Sequence, residues 1–323
     1  MSHFLTGIEL LSAIQTPPLP AEPLIADFLY TDSVCLLTGA AGKGKTVLAV
    51  QLAASLSSAT PCFGSLDIAR PHSVYYLQLE GSRNETLMRL HYLHASIPIN
   101  ASYFYFDFDK QFRVTHAEMV QRKLAIMRER LATNPLDLLI LDPIYKLAGD
   151  LAKAENALAV ITFSDLIAEL FHCSILLIHH PHRERYDVKG KVIQESNPYY
   201  GHSFLYNHVD SSFLMTNPEK DRVLLTRDKV REENTRRQLS LLYHPESYSL
   251  SMVPELPKHT KKAGVERFLE ECKARNITTS FAEIQERCLV SGQFLRELQT
   301  GYLKSGKVEF RKVPGKSTIW IPK

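Results

Sequence analysis

The segment that most constrains this chain is Gly39-Ala40-Ala41-Gly42-Lys43-Gly44-Lys45-Thr46. The apolar run Val34-Cys35-Leu36-Leu37 precedes it and reads as a buried strand. A helical pattern from Val47 to Leu56 follows. A strand that must turn at once into a helix needs glycines, which let main-chain N–H groups point inward and cradle phosphate oxygens. The helix start adds its positive end. In that setting the Lys45 ammonium reaches the β- and γ-phosphates of a triphosphate, and the Thr46 hydroxyl suits Mg²⁺. Gly39 through Val47 is therefore expected to hold ATP, with Mg²⁺ as its partner ion.

Three further strand ends carry the residue types such a site needs. Leu138-Leu139-Ile140-Leu141-Asp142 places a carboxylate at the carboxyl end of a buried strand, where Asp142 can hold Mg²⁺ through water. Val74-Tyr75-Tyr76-Leu77-Gln78-Leu79-Glu80 sends Glu80 off another strand, as a base for the attacking water. Ile175-Leu176-Leu177-Ile178-His179-His180 ends a third, and a histidine there, His180 by choice, can sense the γ-phosphate. A zinc site with His182 finds no placed carboxylate or cysteine partner.

Alternating strand and helix patterns over Ser33–Ile178 predict an α/β domain with a mainly parallel sheet covered by helices on both faces. After Asp210 the pattern becomes short strands: Ser211–Met215, Arg222–Arg227, Gln238–Tyr243 and Tyr248–Val253. This is an antiparallel meander added to the sheet. Residues 1–32 hold Pro17, Pro18, Pro20 and Pro23 and read as an extended arm. Residues 33–253 form the main domain, 254–262 a polar linker and 263–323 a small second domain. No run of about 18 apolar residues exists, which predicts no membrane span. Five scattered cysteines without CxxC spacing, and no apparent secretory signal, predict a reducing, cytoplasmic setting.

The net charge of +3 is uneven. Lys258–Lys323 carries 14 Lys and Arg, 7 Glu and no Asp, a net of +7, and leaves −4 on the remainder. A basic tail on an acidic body suits a polyanion partner. Residues 263–323 read as three helices followed by a hairpin. Val265, Phe268, Leu269 and Cys272 line the first helix. Ser280-Phe281-Ala282-Glu283 is a capping box for the second, and Ser291 caps the third, Gly292–Lys304. Val308–Arg311 and Ser317–Ile321 flank a basic tip. This domain resembles a winged helix. That likeness implies a third helix lying in a duplex major groove with Gln293, Arg296 and Gln299 reading it, and Arg311, Lys312 and Lys316 touching backbone. Winged helices also dock proteins.

The four strand-end elements, in this order, resemble the RecA-like ATPases, most closely the RepA-type plasmid helicases and their AAA-family relatives. The likeness covers roughly Pro23–Val253. It implies the roles given above for Lys45, Thr46, Glu80 and Asp142, and assembly into a ring of about six subunits. It further implies that Lys229 and Arg231, in Thr226-Arg227-Asp228-Lys229-Val230-Arg231, act on the neighbouring subunit's nucleotide. Strand alternation would put both on one face. Where the family carries Arg-Gly-Ser-Ser, this chain reads Tyr200-Gly201-His202-Ser203. The loop after His180 would face the ring axis, its Arg183, Arg185, Lys189 and Lys191 gripping single-stranded DNA beside Tyr186.

The expected protein is an oligomeric, ATP-hydrolysing DNA motor, a helicase of a plasmid, phage or mobile element, working with other replication or recombination proteins. Two alternatives stand beside it: an ATP switch that assembles on DNA without unwinding it, and a transcription factor gated by nucleotide.

Overall fold

The structure is a computed structural model. It describes residues 22–180, 203–217, 220–230, 238–253, 258–274, 278–288, 292–305, 308–311 and 319–322, and the short pieces 6–7, 10, 15, 185–186, 192–193 and 290. The chain divides into two compact units, Met1–Val253 and Pro254–Lys323.

The first unit opens with a hairpin, β1 (Pro23–Ile25) against β2 (Leu29–Tyr30). Strand β3 (Val34–Thr38) leads through the glycine-rich loop into α1 (Lys45–Ser58). Then follow β4 (Val74–Gln78), α2 (Arg83–His94), β5 (Phe104–Phe108), α3 (Ala117–Arg130), β6 (Leu138–Asp142), the short α4 (Tyr145–Ala148), α5 (Ala154–Phe171) and β7 (Ser174–His179). The pair β8 (Arg185–Tyr186) and β9 (Val192–Ile193) precedes α6 (Ser203–His208). Four strands close the unit: β10 (Ser211–Thr216), β11 (Arg222–Lys229), β12 (Gln238–His244) and β13 (Ser249–Met252).

Nine strands form one sheet in the order β13-β12-β11-β10-β3-β7-β6-β4-β5. From β10 to β5 every neighbouring pair is parallel, while β11, β12 and β13 add an antiparallel extension. The central strands β3, β4, β6 and β7 are buried along their whole length. Alternation then sorts their side chains into two cores. Leu37, Tyr76, Ile140 and Ile178 face one core, with α1, Leu93 of α2 and the meander's Leu225, Leu241 and Leu250. Leu36, Leu77, Leu141 and Leu177 face the other, with Met127 of α3, Val160, Phe163 and Ile167 of α5, and Leu205 of α6. Helix α1 is enclosed on nearly all sides, which is why its sequence is apolar all round rather than striped.

The amino-terminal segment departs from the expected arm. Leu24, Ile25, Phe28 and Leu29 are all buried in the first core. The Arg227 guanidinium fastens the hairpin tip by donating to the carbonyls of Asp27 (3.2 Å) and Phe28 (2.7 Å). Phe28 also stacks on Phe213, with ring centroids 4.4 Å apart. The main body thus starts near Pro23, ten residues before the expected boundary at Ser33.

The second unit runs α7 (Lys258–Ala274), β14 (Thr279–Ser280), α8 (Phe281–Cys288), α9 (Gly292–Ser305), β15 (Val308–Arg311) and β16 (Ile319–Pro322). Residues from Lys258 belong to α7, so the expected linker over 254–262 is in part helix. Strands β14 and β15 both pair antiparallel with β16, the first of them a strand the sequence pattern does not reveal. Val265, Leu269, Ile284, Leu295, Tyr302 and Trp320 fill its core. At the start of α8 the Ser280 hydroxyl accepts from the Glu283 N–H (3.1 Å), as the capping box requires. The carboxylate of Glu283 turns to the Thr279 hydroxyl at 2.9 Å.

Candidate nucleotide site

The carboxyl ends of β3, β4, β6 and β7 lie side by side, and each delivers one element of the site. Register does the alignment: Thr38 pairs with His179 across β3/β7, and Gln78 with Asp142 across β4/β6. Ligands in open α/β sheets bind at such strand ends.

The glycine-rich loop needs glycine for two separate reasons. Gly44, the residue before α1, has φ 95°, a left-handed backbone that disfavours a side chain. A Cβ on Gly39 would stand 2.7 Å from the Met215 carbonyl oxygen, so the loop lies against β10. The Lys45 ammonium folds back onto the loop's own carbonyls, Gly39 at 2.5 Å and Ala40 at 2.9 Å. Burial pushes its pKa down to about 8, against the pull of Asp142 and Glu80. An ammonium so held, with two carbonyl dipoles as its direct partners among the described residues, is ready to take an anion instead.

Thr46 and Asp142 meet directly: the Thr46 hydroxyl donates to Asp142 Oδ2 at 2.8 Å. The Tyr76 hydroxyl donates to the same oxygen at 2.5 Å. Asp142 is 2% exposed, and burial raises its pKa while the Tyr76 and Thr46 hydrogen bonds oppose that rise. A hydroxyl and a carboxylate converging beside the loop form a fitting donor set for Mg²⁺, with oxygen ligands only. Among the described residues, here or elsewhere, no group of three His, Cys, Asp or Glu side chains is placed to hold a metal, so Mg²⁺ here would complete its shell with phosphate and water oxygens.

Glu80 stands partly exposed on the pocket wall, near enough to His180 for an ion pair, with Nε2 3.4 Å from Oε1. Its other oxygen accepts a short hydrogen bond from the Tyr145 hydroxyl. The His180 hydrogen bond first, then that of Tyr145, hold the carboxyl below the usual range against the effect of burial. Glu80 thus stays ionised and able to accept a proton at neutral pH.

Lys45, Thr46, Glu80 and His180 line a cavity of about 390 Å³ whose wall also includes Arg89, Met215, Asn217, Asp221, Val223, Tyr243, Tyr248 and Leu250, and Asp142 joins it through its hydrogen bond to Thr46. None of this second set was expected from sequence. Arg89 comes from α2, and the rest from the β10–β11 hairpin and β12–β13, elements whose chain positions give no sign that they fold back over the loop. The two tyrosines and Arg89 offer flat and cationic surfaces of the kind that contact a nucleobase.

The residues expected to act beyond this pocket are placed differently. Lys229 lies at the opposite end of β11 from Asp221 and Val223, its ammonium donating to the carbonyls of Tyr206 (2.7 Å) and Asn207 (3.0 Å). A bulge puts Phe213 opposite Arg227 but Ser212 opposite Lys229, which breaks simple alternation there. Arg231 lies outside the described residues, as do Arg183, Lys189, Lys191, Lys312, Lys316 and Tyr200, Gly201 and His202. Arg185 is on β8 and Arg311 on β15, but their side chains are likewise outside what is described. On α9, Gln293 and Arg296 are exposed and Gln299 partly so, with Glu297 on the same surface.

Comparison with known proteins agrees with this geometry. The AAA domain family matches residues 3–185, more than half of the chain. The crystal structure of a KaiC-like protein from the hyperthermophilic archaeon Pyrococcus horikoshii OT3 shares the fold. It has a TM-score of 0.50 and 14% identity, over 73% of this chain and 100% of that one. No curated protein sequence matches.

Proposed function

This chain belongs to the AAA domain family, and on that premise we propose that it is an oligomeric ATP-driven motor on DNA, a helicase in its simplest reading. The observation that carries the reading is the convergence of Lys45, Thr46, Glu80, Asp142 and His180 at four neighbouring strand ends.

In this reading the Gly39–Val47 loop and Lys45 hold the triphosphate tail, and Tyr243, Tyr248 and Arg89 face its base. Thr46 and Asp142 hold Mg²⁺, which when bound neutralises charge developing on the phosphates. Glu80 takes a proton from a water as that water's oxygen bonds to the γ-phosphorus. The bond to the β–γ bridging oxygen breaks, releasing ADP and inorganic phosphate. His180, beside Glu80 on the pocket wall, registers the loss of the γ-phosphoryl group. Lys229 and Arg231 would complete a neighbour's pocket, since Lys229 lies away from its own. The basic residues after His180 would grip single-stranded DNA, and the basic tail, +7 over Lys258–Lys323, would set the assembly on duplex through Gln293, Arg296 and Gln299. The order α7-β14-α8-α9-β15-β16, with β14 and β15 flanking β16, supports reading that unit as a winged helix.

A forked duplex with one labelled strand tests the proposal. ATP and Mg²⁺ should release the strand, and Lys45→Ala should abolish release and hydrolysis together. Hydrolysis without strand release would move the reading to an ATP switch that recruits partners. Absence of hydrolysis would refute the motor in either form.

A further inference from the structure

Glu80 and Tyr145 leave adjacent strands side by side. Gln78 and Asp142 are register partners, and the Leu79 N–H donates to the Asp142 carbonyl at 2.8 Å, so the segments beyond them stay together. Glu80's own main chain is fixed, because the Gln78 amide donates to its carbonyl at 2.6 Å and is itself held by the Thr86 hydroxyl at 2.9 Å. The carboxylate is a separate matter: it has two free torsions beyond Cβ and must face a water that arrives with the substrate.

Tyr145 is well placed to restrict those torsions. Its backbone starts α4, and that turn is anchored on both sides. The Ile144 N–H donates to the Ile178 carbonyl of β7 at 2.9 Å, and Ile144 and Leu147 are 0% exposed. The Tyr145 side chain is only half-buried, rests edge-on against His180 (centroids 5.7 Å apart) and carries the Lys146 ammonium 5.1 Å over its ring. Its hydroxyl meets one Glu80 oxygen while His180 faces the other. Burial, and then Glu80 itself, push the Tyr145 pKa up to about 12, so it stays a donor throughout the working range.

We propose that Tyr145 is a positioning residue for Glu80. Its hydroxyl, carried on the anchored turn after Asp142, holds the carboxylate in the orientation from which it takes the proton of water. The inference rests on the reading of Glu80 as the base, and it adds that the loop following the Mg²⁺ carboxylate sets that base. Movement of the loop by a bound polymer or neighbour would then alter turnover without touching the phosphate loop.

The test uses the full chain with MgATP. Tyr145→Phe should lower kcat about tenfold, a fraction of what a well-placed base contributes. The nucleotide Kd from calorimetry should stay within about twofold, because the hydroxyl makes no contact with the phosphate loop. Tyr145→His, which keeps a ring N–H donor, should recover part of the loss. Unchanged or raised kcat in Tyr145→Phe would overturn the proposal. So would a loss of kcat accompanied by an equal loss of nucleotide affinity and melting temperature. Glu80→Gln, measured alongside, separates the two claims. Full turnover there removes the base reading itself, whereas an inactive Glu80→Gln beside a fully active Tyr145→Phe removes only the role of Tyr145.

Discussion

Tyr76→Phe isolates one hydrogen bond at the centre of the site. The ring of Tyr76 is fully buried and stacks on Phe106, with centroids 4.6 Å apart and planes 8° apart, so phenylalanine fits the same space. What is lost is the 2.5 Å donation to Asp142 Oδ2, leaving Thr46 as the remaining side-chain donor to that oxygen. A hydrogen bond to a charged group contributes roughly 1.5–3 kcal/mol. For a unit of this size that lowers the melting temperature by about 3–12 °C, at roughly 2–4 °C per kcal/mol. The effect should depend on pH with a definite sign. The folded pKa of Asp142 is already raised by burial, so its contribution to stability is present below its unfolded value and lost as pH rises through the folded one. Removing the hydroxyl raises that folded pKa further. The deficit of Tyr76→Phe should therefore be largest at pH 7 and shrink on acidification. Thermal unfolding with chelator at several pH values measures this, and the Mg²⁺ concentration needed for half-maximal ATP turnover should rise in parallel. A variant as stable as wild type at pH 7 with an unchanged Mg²⁺ requirement would refute the picture of Asp142 as an anion held by two hydroxyls.

Two further outcomes follow from neighbouring groups. Lys45 has its pKa depressed from 10.5 to about 8, so in the nucleotide-free chain its charged form is disfavoured and the stability it contributes at high pH is lost as pH falls through about 8. A triphosphate beside it restores the ammonium, so binding to the wild-type chain at pH 8 should take up protons, seen as a dependence of calorimetric heat on the ionisation enthalpy of the buffer that fades near pH 6, where Lys45 is already charged. Arg227→Met should lower stability by about 2 kcal/mol, since two carbonyls lose a charged donor while an apolar chain partly refills the space. Nucleotide affinity should be unchanged in that variant, and a shift in affinity would show that the amino-terminal hairpin reaches the pocket.

The parallel core of the sheet and the four strand ends were legible because each depends on short-range signals. Apolar runs such as Leu138–Leu141 cannot be solvent-facing, and Gly39–Thr46 carries its geometry in its own residue types. What escaped the sequence depends on partners far along the chain. Leu24, Ile25, Phe28 and Leu29 sit among prolines and look like an arm until Arg227, some 200 residues later, closes on the Asp27 and Phe28 carbonyls. Strand β5 contains Asp107, which reads as a loop residue; Lys123 and the Tyr75 hydroxyl, both 2.6 Å away, make it tolerable there. Tyr76 and Tyr145 look like core tyrosines, and only the register of β4 on β6 turns them toward the two carboxylates. The outer pocket wall, from Asp221 to Leu250, required knowing that the meander folds beside β3 through β10.

The central claim is a pocket in which main-chain amides and one ammonium hold a triphosphate. Titration calorimetry of the full chain with ATP and Mg²⁺ tests it most directly. Saturable binding is the predicted result, abolished in Lys45→Ala and preserved in Glu80→Gln, whose turnover alone should be lost. Failure of the wild-type chain to bind, or equal binding by Lys45→Ala, would contradict it.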